Sequence, residues 1–127
     1  MIYSTGIDIV QCARIQNLFQ HHRERFLNRI LTEKESSLIH SHPYPVSFLA
    51  GRWAAKEAFS KALGTGIGKD CSWQDIEIFP DEKGKPFLVL SGNAKKMADF
   101  LKISHIHLSI SHERDYAVAS VLLETDL

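Results

Sequence analysis

The sequence has little cysteine, no excess of either charge and no long apolar run, and each shortage removes a class of protein. Only Cys12 and Cys71 are present, without metal-type spacing or a disulfide framework, which suits a reducing compartment. Lys plus Arg and Asp plus Glu both number 15. No overall field therefore draws the chain to nucleic acid or to an anionic membrane, and any basic docking surface must be local. No window approaches a membrane span, and the opening MIYSTGIDIV has neither the charged nor the apolar region of a signal peptide, so a cytoplasmic protein is expected. Internal repeats, low-complexity tracts and linkers are also missing.

What remains is an ordinary globular composition, 44% hydrophobic and 24% charged, which argues against disorder and fibrous architecture. At 127 residues the chain is long enough for one real core and too short for two, so residues 1–127 form a single domain. Residues 2–10 are rich in β-branched and aromatic types and predict a strand, with Asp8 on the face opposite Ile7 and Ile9. From Ala13 to Leu31, Ile15, Leu18, Phe19, Phe26 and Ile30 recur at helical spacing, and Arg14, Arg23, Arg25 and Arg29 supply charge, predicting an amphipathic helix or helix pair. Thr32 with Glu35 fits a capping box opening a short helix that ends before SHPYP.

The long helix is expected to start near Ser47 and to stop at Gly64, with GTGIGKD as a tight loop beyond it. Then come strand-like WQDIEIFP, a turn at DEKGKP, strand-like FLVLS and a helix over about Asn93–Leu101. HIHLSISH and YAVASVLLE read as a hairpin joined through Glu113–Asp115. The sum is an α+β domain with a mainly antiparallel sheet and a long central helix.

That central helix, FLAGRWAAKEAFSKALG, is apolar or small on nearly every side yet carries Glu57 and Lys61 one turn apart. Phe48, Ala55, Phe59 and Ala62 form one side, Leu49 and Trp53 widen the apolar arc, and Ala50 and Ala54 flank Glu57 and Lys61. By spacing alone the pair is an ordinary surface contact worth roughly 0.2–0.5 kcal/mol. Its company changes the weighing: a strand carboxylate at Asp8 and a glycine-rich loop one turn after Lys61. Two carboxylates completed by phosphate oxygens and water make a hard-cation site, if the fold brings them together. The loop alone says little, because GTGIGKD lacks the Walker pattern and follows a helix where the dinucleotide fingerprint follows a strand. His21/His22, His40/His42 and His105/His107 come without convergent Cys or Asp and read as solvated or hydrogen-bonded histidines.

GIDIV, RI at Arg14, FLAGRWAAKEAFSKALGTGIG, DIEI, GKP and LSISH followed by YAVA together resemble the holo-[acyl-carrier-protein] synthases, the small bacterial 4′-phosphopantetheinyl transferases. The likeness runs from Ile2 to about Val121, with WAAKEAFSKALGTG as its most specific block. It implies transfer of the 4′-phosphopantetheine arm of coenzyme A to a serine hydroxyl of acyl carrier protein, releasing 3′,5′-ADP, in fatty acid biosynthesis. It also implies a homotrimer with active sites between neighbouring subunits.

By position in the family's motifs, Asp8 and Glu57 hold Mg²⁺ against the pyrophosphate. Lys61 reaches a phosphate of coenzyme A, and the amides of Gly64, Thr65 and Gly66 line the nucleotide side. His112 contacts phosphate or nucleotide, Arg52 holds another phosphate, and Trp53 packs in the core. Either Glu57 or a water on the metal accepts the serine proton. Arg14 and Arg25 dock the acidic carrier. Gln11 stands where many members have an acid, leaving an auxiliary acidic contact in doubt, and His22 replaces a basic docking residue of some members. Two rivals use the same features: a non-catalytic module binding acidic proteins, and a magnesium-dependent nucleotide hydrolase placing water where the serine would attack.

Overall fold

The computed structural model describes residues 1–126. Strand β1 (Ile2–Gln11) leads into a helix pair, α1 (Cys12–His21) and α2 (Arg23–Ile30), broken at His22, whose backbone is non-helical at φ −141° and ψ 40°. Helix α3 (Glu33–Ile39) opens with the reciprocal Thr32/Glu35 capping box. The long helix α4 (Pro45–Leu63) begins two residues before the expected Ser47. Pro45 occupies the first helical position, where its missing N–H costs nothing and its fixed φ suits a helix, so this proline starts the helix instead of blocking it.

Gly64 ends α4 at φ 92°, a left-handed value that favours glycine. The loop beyond it reaches a 3₁₀ turn at Trp73–Asp75, where the sequence pattern suggested strand. Ser72 and Asp75 cap that turn reciprocally, which holds these residues out of the extended state. Strands β2 (Ile76–Pro80) and β3 (Pro86–Leu90) make a hairpin, α5 spans Gly92–Phe100, and β4 (Ile103–His112) pairs with β5 (Tyr116–Thr125).

All strand pairings are antiparallel and fall in two sheets, β1-β5-β4 and β2-β3. Helix α4 lies across the inner face of the larger sheet, and Leu108, Ala119, Val121 and Leu123 meet Ala54, Ala55, Ala58 and Phe59 in one continuous core. Small residues let this helix sit close to the strands: a Cβ on Gly51 would stand 3.2 Å from Ile110 Cγ2.

Lys56 is fully buried on α4, inside the arc that the sequence pattern marked apolar, and Glu35 is equally buried. Lys56 Nζ donates to Glu35 Oε1 at 2.6 Å, Ile30 O at 2.6 Å and Trp73 O at 3.0 Å, which uses all three of its protons. Glu35 accepts in turn from the amides of Thr32 and Ile78, both at 3.0 Å. Burial pulls the Lys56 ammonium down from its ordinary pKa, and the Glu35 charge and hydrogen bond oppose that pull. A pair so completely satisfied escapes the penalty of a lone buried charge.

Candidate functional site

Asp8 is placed by the close approach of β1 to α4. It lies on the inward face of β1 with Gly6 and Val10, opposite the buried Ala119 of β5. Gly6 touches the helix backbone: a Cβ there would stand 2.1 Å from Ala58 O and 2.8 Å from Ala62 N. Ser4 Oγ, one step back on the same face, donates to Ala62 O. With β1 pressed against this turn of α4, Asp8 is brought to Lys61 on the same turn, whose Nζ lies 3.0 Å from Asp8 Oδ1 and 3.2 Å from Ile7 O. Gly6→Ala is expected to cost roughly 1–3 kcal/mol or more, because the obstacle is helix backbone that cannot rotate away. It should also loosen the Asp8–Lys61 contact by moving Asp8 from α4, and thermal melting of the variant checks the cost.

Glu57 is half-buried beside this pair. Burial pushes its carboxyl above the usual carboxylate range and the nearby Asp8 charge adds to the push, while Lys61 and Arg14 pull the other way. Two carboxylates are thus held near one another at the contact of β1 with α4, a donor set that suits a hard divalent cation. Asp8, Glu57 and Lys61, read from distant stretches of sequence, are brought to one place.

The glycine loop behaves differently from the expectation. The amides of Gly64, Thr65 and Gly66 all donate to Ser60 O, at 3.1, 3.2 and 3.1 Å, and the Thr65 hydroxyl donates to Gly66 O at 2.8 Å. These groups satisfy the end of α4 and are engaged within the chain, so they are not a ready-made phosphate cradle.

Arg52 and His112 stand apart from the carboxylate pair. They line a second pocket with His42, Phe48, Pro86 and Ile110. Five residues along a helix is a rotation of roughly 140° relative to Glu57, so Arg52 leaves α4 on another side. Its guanidinium carbon sits 4.2 Å from the centre of the Phe48 ring, and the His42 ring packs 5.1 Å from the same ring. Arg52 Nε is buried without a hydrogen-bond partner among the described residues, and burial lowers the guanidinium pKa against the pull of Glu35. A guanidinium lining a pocket with two imidazoles forms a place for an anion. His42, read from the sequence only as one of a solvated or hydrogen-bonded pair with His40, is brought to the Arg52 pocket by the fold.

Arg14 and Arg25 line a third depression, with His22, Phe26, Arg29 and Trp53. Trp53 is half-buried and packs against the core as expected; its ring is tilted against those of Trp73, 4.8 Å between centres, and Phe26, 5.9 Å, and the Arg14 guanidinium lies 5.1 Å above it. The cleft is therefore aromatic at its floor and basic at its rim. Gln11 is exposed at the end of β1. Among the described residues no three His, Cys, Asp or Glu side chains gather as metal ligands.

Comparison with known proteins gives this geometry its family. The 4′-phosphopantetheinyl transferase superfamily profile matches residues 4–121. A holo-[acyl-carrier-protein] synthase from Geobacillus sp. (strain WCH70) is 49% identical over 126 residues, covering 98% of each chain. The crystal structure of such a synthase from Neisseria meningitidis superposes with a TM-score of 0.93 at 41% identity, covering 98% of this chain and all of that one. Another, from Bacillus anthracis in complex with CoA (3′,5′-ADP), gives a TM-score of 0.83 at 43% identity over 99% of each chain. Matched along nearly its whole length in sequence and in fold, the chain belongs to the 4′-phosphopantetheinyl transferase superfamily, among its holo-[acyl-carrier-protein] synthases.

Proposed function

We propose that the protein transfers the 4′-phosphopantetheine group of coenzyme A to a serine hydroxyl of apo acyl carrier protein, releasing 3′,5′-ADP. The observation that carries the reading is the convergence of Asp8, Glu57 and Lys61 at the contact of β1 with α4. The serine oxygen bonds to the phosphorus on the pantetheine side of the diphosphate, and the bond from that phosphorus to the bridging oxygen breaks toward 3′,5′-ADP. Glu57 takes the serine proton, a task helped by a carboxylate that burial and Asp8 have made more basic. Lys61, half exposed at the end of its stem, turns its ammonium to the phosphate oxygens.

Asp8 and Glu57 are the residues that would hold Mg²⁺, which when bound neutralises charge on the diphosphate. Two sets of carboxylate oxygens with open positions for phosphate oxygens and water fit that ion. Arg52, His112 and His42 take the phosphate of coenzyme A that lies outside the diphosphate, and the loop Gly64–Gly66 contributes shape beside the nucleotide.

The acidic carrier docks on the cleft of Arg14 and Arg25, with the Trp53 ring under the bound partner. Placement in the cytoplasm is supported by two buried, unpaired thiols, one of which, Cys71, is pushed up to about 12 by burial and so stays a thiol.

The active unit is a homotrimer in this reading. The outward face of the larger sheet leaves Ile7 and Ile9 each 64% exposed and carries Tyr116 and Val118 beside them, an apolar surface suited to a second copy. His112 borders that face, in a depression shared with Ile9, Tyr116 and Val118. Packing copies through it lets the Arg52 and His112 pocket of one subunit serve the Asp8 and Glu57 pair of its neighbour. Mixed trimers of Glu57→Gln and Arg52→Ala chains should then regain activity that neither variant has alone, whereas sites within one chain would show no recovery.

Incubation of apo carrier with coenzyme A and Mg²⁺, followed by intact-protein mass measurement, tests the function. A gain of one phosphopantetheine supports transfer. Hydrolysis of coenzyme A with an unmodified carrier points to the hydrolase, and carrier binding with neither product points to a non-catalytic module.

A further inference from the structure

Helix α2 has only eight residues and is separated from α1 by the break at His22; Phe26, Leu27 and Ile30 seat it on the core, and its C-terminal end is held separately. The last carbonyls of a helix have no partner within it and must find one elsewhere. Here they find two side chains from distant segments. Gln74 Nε2 lies 2.9 Å from Asn28 O and 2.7 Å from Leu31 O, with a longer approach of 3.3 Å to Arg29 O. The buried Lys56 ammonium takes the remaining carbonyl, Ile30 O, at 2.6 Å, and also complements the negative end of the helix.

Both holds lead back to the site. Lys56 is the residue before Glu57 on α4, so it fixes the end of α2 directly to the catalytic helix. Gln74 follows Trp73, whose ring packs tilted against Trp53, the floor of the basic cleft, and whose carbonyl also accepts from Lys56. The short 3₁₀ turn thus grips the cleft floor through one residue and the cleft wall through the next. The wall is α2 itself, which carries Arg25, Phe26 and Arg29.

We propose that Gln74, backed by Lys56, is a positioning residue for the carrier protein: by closing the C-terminal end of α2 it sets the docking arginines at a fixed place relative to Glu57. This rests on the reading of the cleft as the carrier-docking surface. Gln74 contacts neither substrate in this account. Its loss leaves α2 free to sample several placements, and the carrier must then restore one on binding, a cost that falls on affinity and not on the chemical step.

The test uses the full-length protein with Gln74→Ala and with Gln74→Met, which keeps the length of the side chain but has no donor. Gln74 is exposed, so both variants should fold. The expected result is a rise of about five- to tenfold in the KM for carrier, the worth of one or two net hydrogen bonds. The kcat and the KM for coenzyme A should stay within about twofold, and amide exchange in α2 should accelerate. A purely structural role would lower the active fraction, and with it kcat, at unchanged carrier KM; that result overturns the proposal.

Arg25→Glu is the control that separates the two readings. If it raises the carrier KM and the Gln74 variants do not, the positioning role is wrong and the docking surface stands. If Arg25→Glu has no effect on carrier KM, both are wrong.

Discussion

Replacing Glu57 by glutamine is expected to reduce carrier modification by about a thousandfold or more, and to raise thermal stability near neutral pH in metal-free protein. The first effect follows from losing a proton acceptor and one of two carboxylates for the cation, contributions worth several kcal/mol of barrier. The second follows from the direction of the Glu57 shift. Its folded-state pKa lies above the ordinary value because of burial and Asp8, so the charged form is disfavoured in the native protein. That penalty is fully present above the folded pKa and disappears as pH falls below the unfolded value.

Glutamine removes the penalty, so the gain in melting temperature should be present at neutral pH and fade in acid. Mg²⁺ should stabilise the wild type and narrow the difference. Paired melting curves across pH, with activity measured on the same samples, check both effects. A variant that keeps near-normal turnover contradicts the assignment, and one that loses turnover by unfolding leaves the stability prediction refuted.

Charge reversal at the docking cleft should produce the next largest effect. An acyl carrier protein is acidic, and two reversals replace attraction by repulsion at a rim where Arg14 and Arg25 stand exposed. The double variant Arg14→Glu/Arg25→Glu should lose about a hundredfold in kcat/KM for carrier at low salt, and much less at high salt, where such charges are screened.

The two arginines are not equivalent. Arg14 lowers the Glu57 pKa through its charge, so Arg14→Glu should also move the acidic limb of the pH–rate profile upward. Arg25→Glu should raise the carrier KM and leave that limb in place. Initial rates over carrier concentration, salt and pH separate these outcomes, and a salt-insensitive carrier KM in the wild type would argue against the surface.

Much of this was legible from residue patterns because it depends on local chemistry. The Thr32/Glu35 box, the glycine at the end of α4 and the Glu113–Asp115 hairpin are each written in a few adjacent residues, and each is present in the fold. Asp8 and Glu57 could be named from motif resemblance, but their meeting depends on β1 lying close against α4. Gly6 is the local trace of that contact, since only a residue without a Cβ fits there.

Three features stayed hidden because tertiary contacts decide them. Lys56 looks like a solvent-facing lysine until Glu35 and two carbonyls surround it, although its place within an apolar arc was a signal that a buried partner should exist. The amides of Gly64–Gly66 looked available until Ser60 O proved to take all three. Arg52 and His112 read as phosphate contacts beside the carboxylates, yet the turn of α4 sends Arg52 to a separate pocket with His112 and His42.

The joint grip of Asp8 and Glu57 on one divalent ion is tested most directly by calorimetric titration of Mg²⁺ into the full-length protein with coenzyme A bound and no carrier present. The account predicts one binding event per subunit, lost in Asp8→Asn, in Glu57→Gln and to the same extent in the double variant. Wild-type Mg²⁺ affinity retained by either single variant would contradict it.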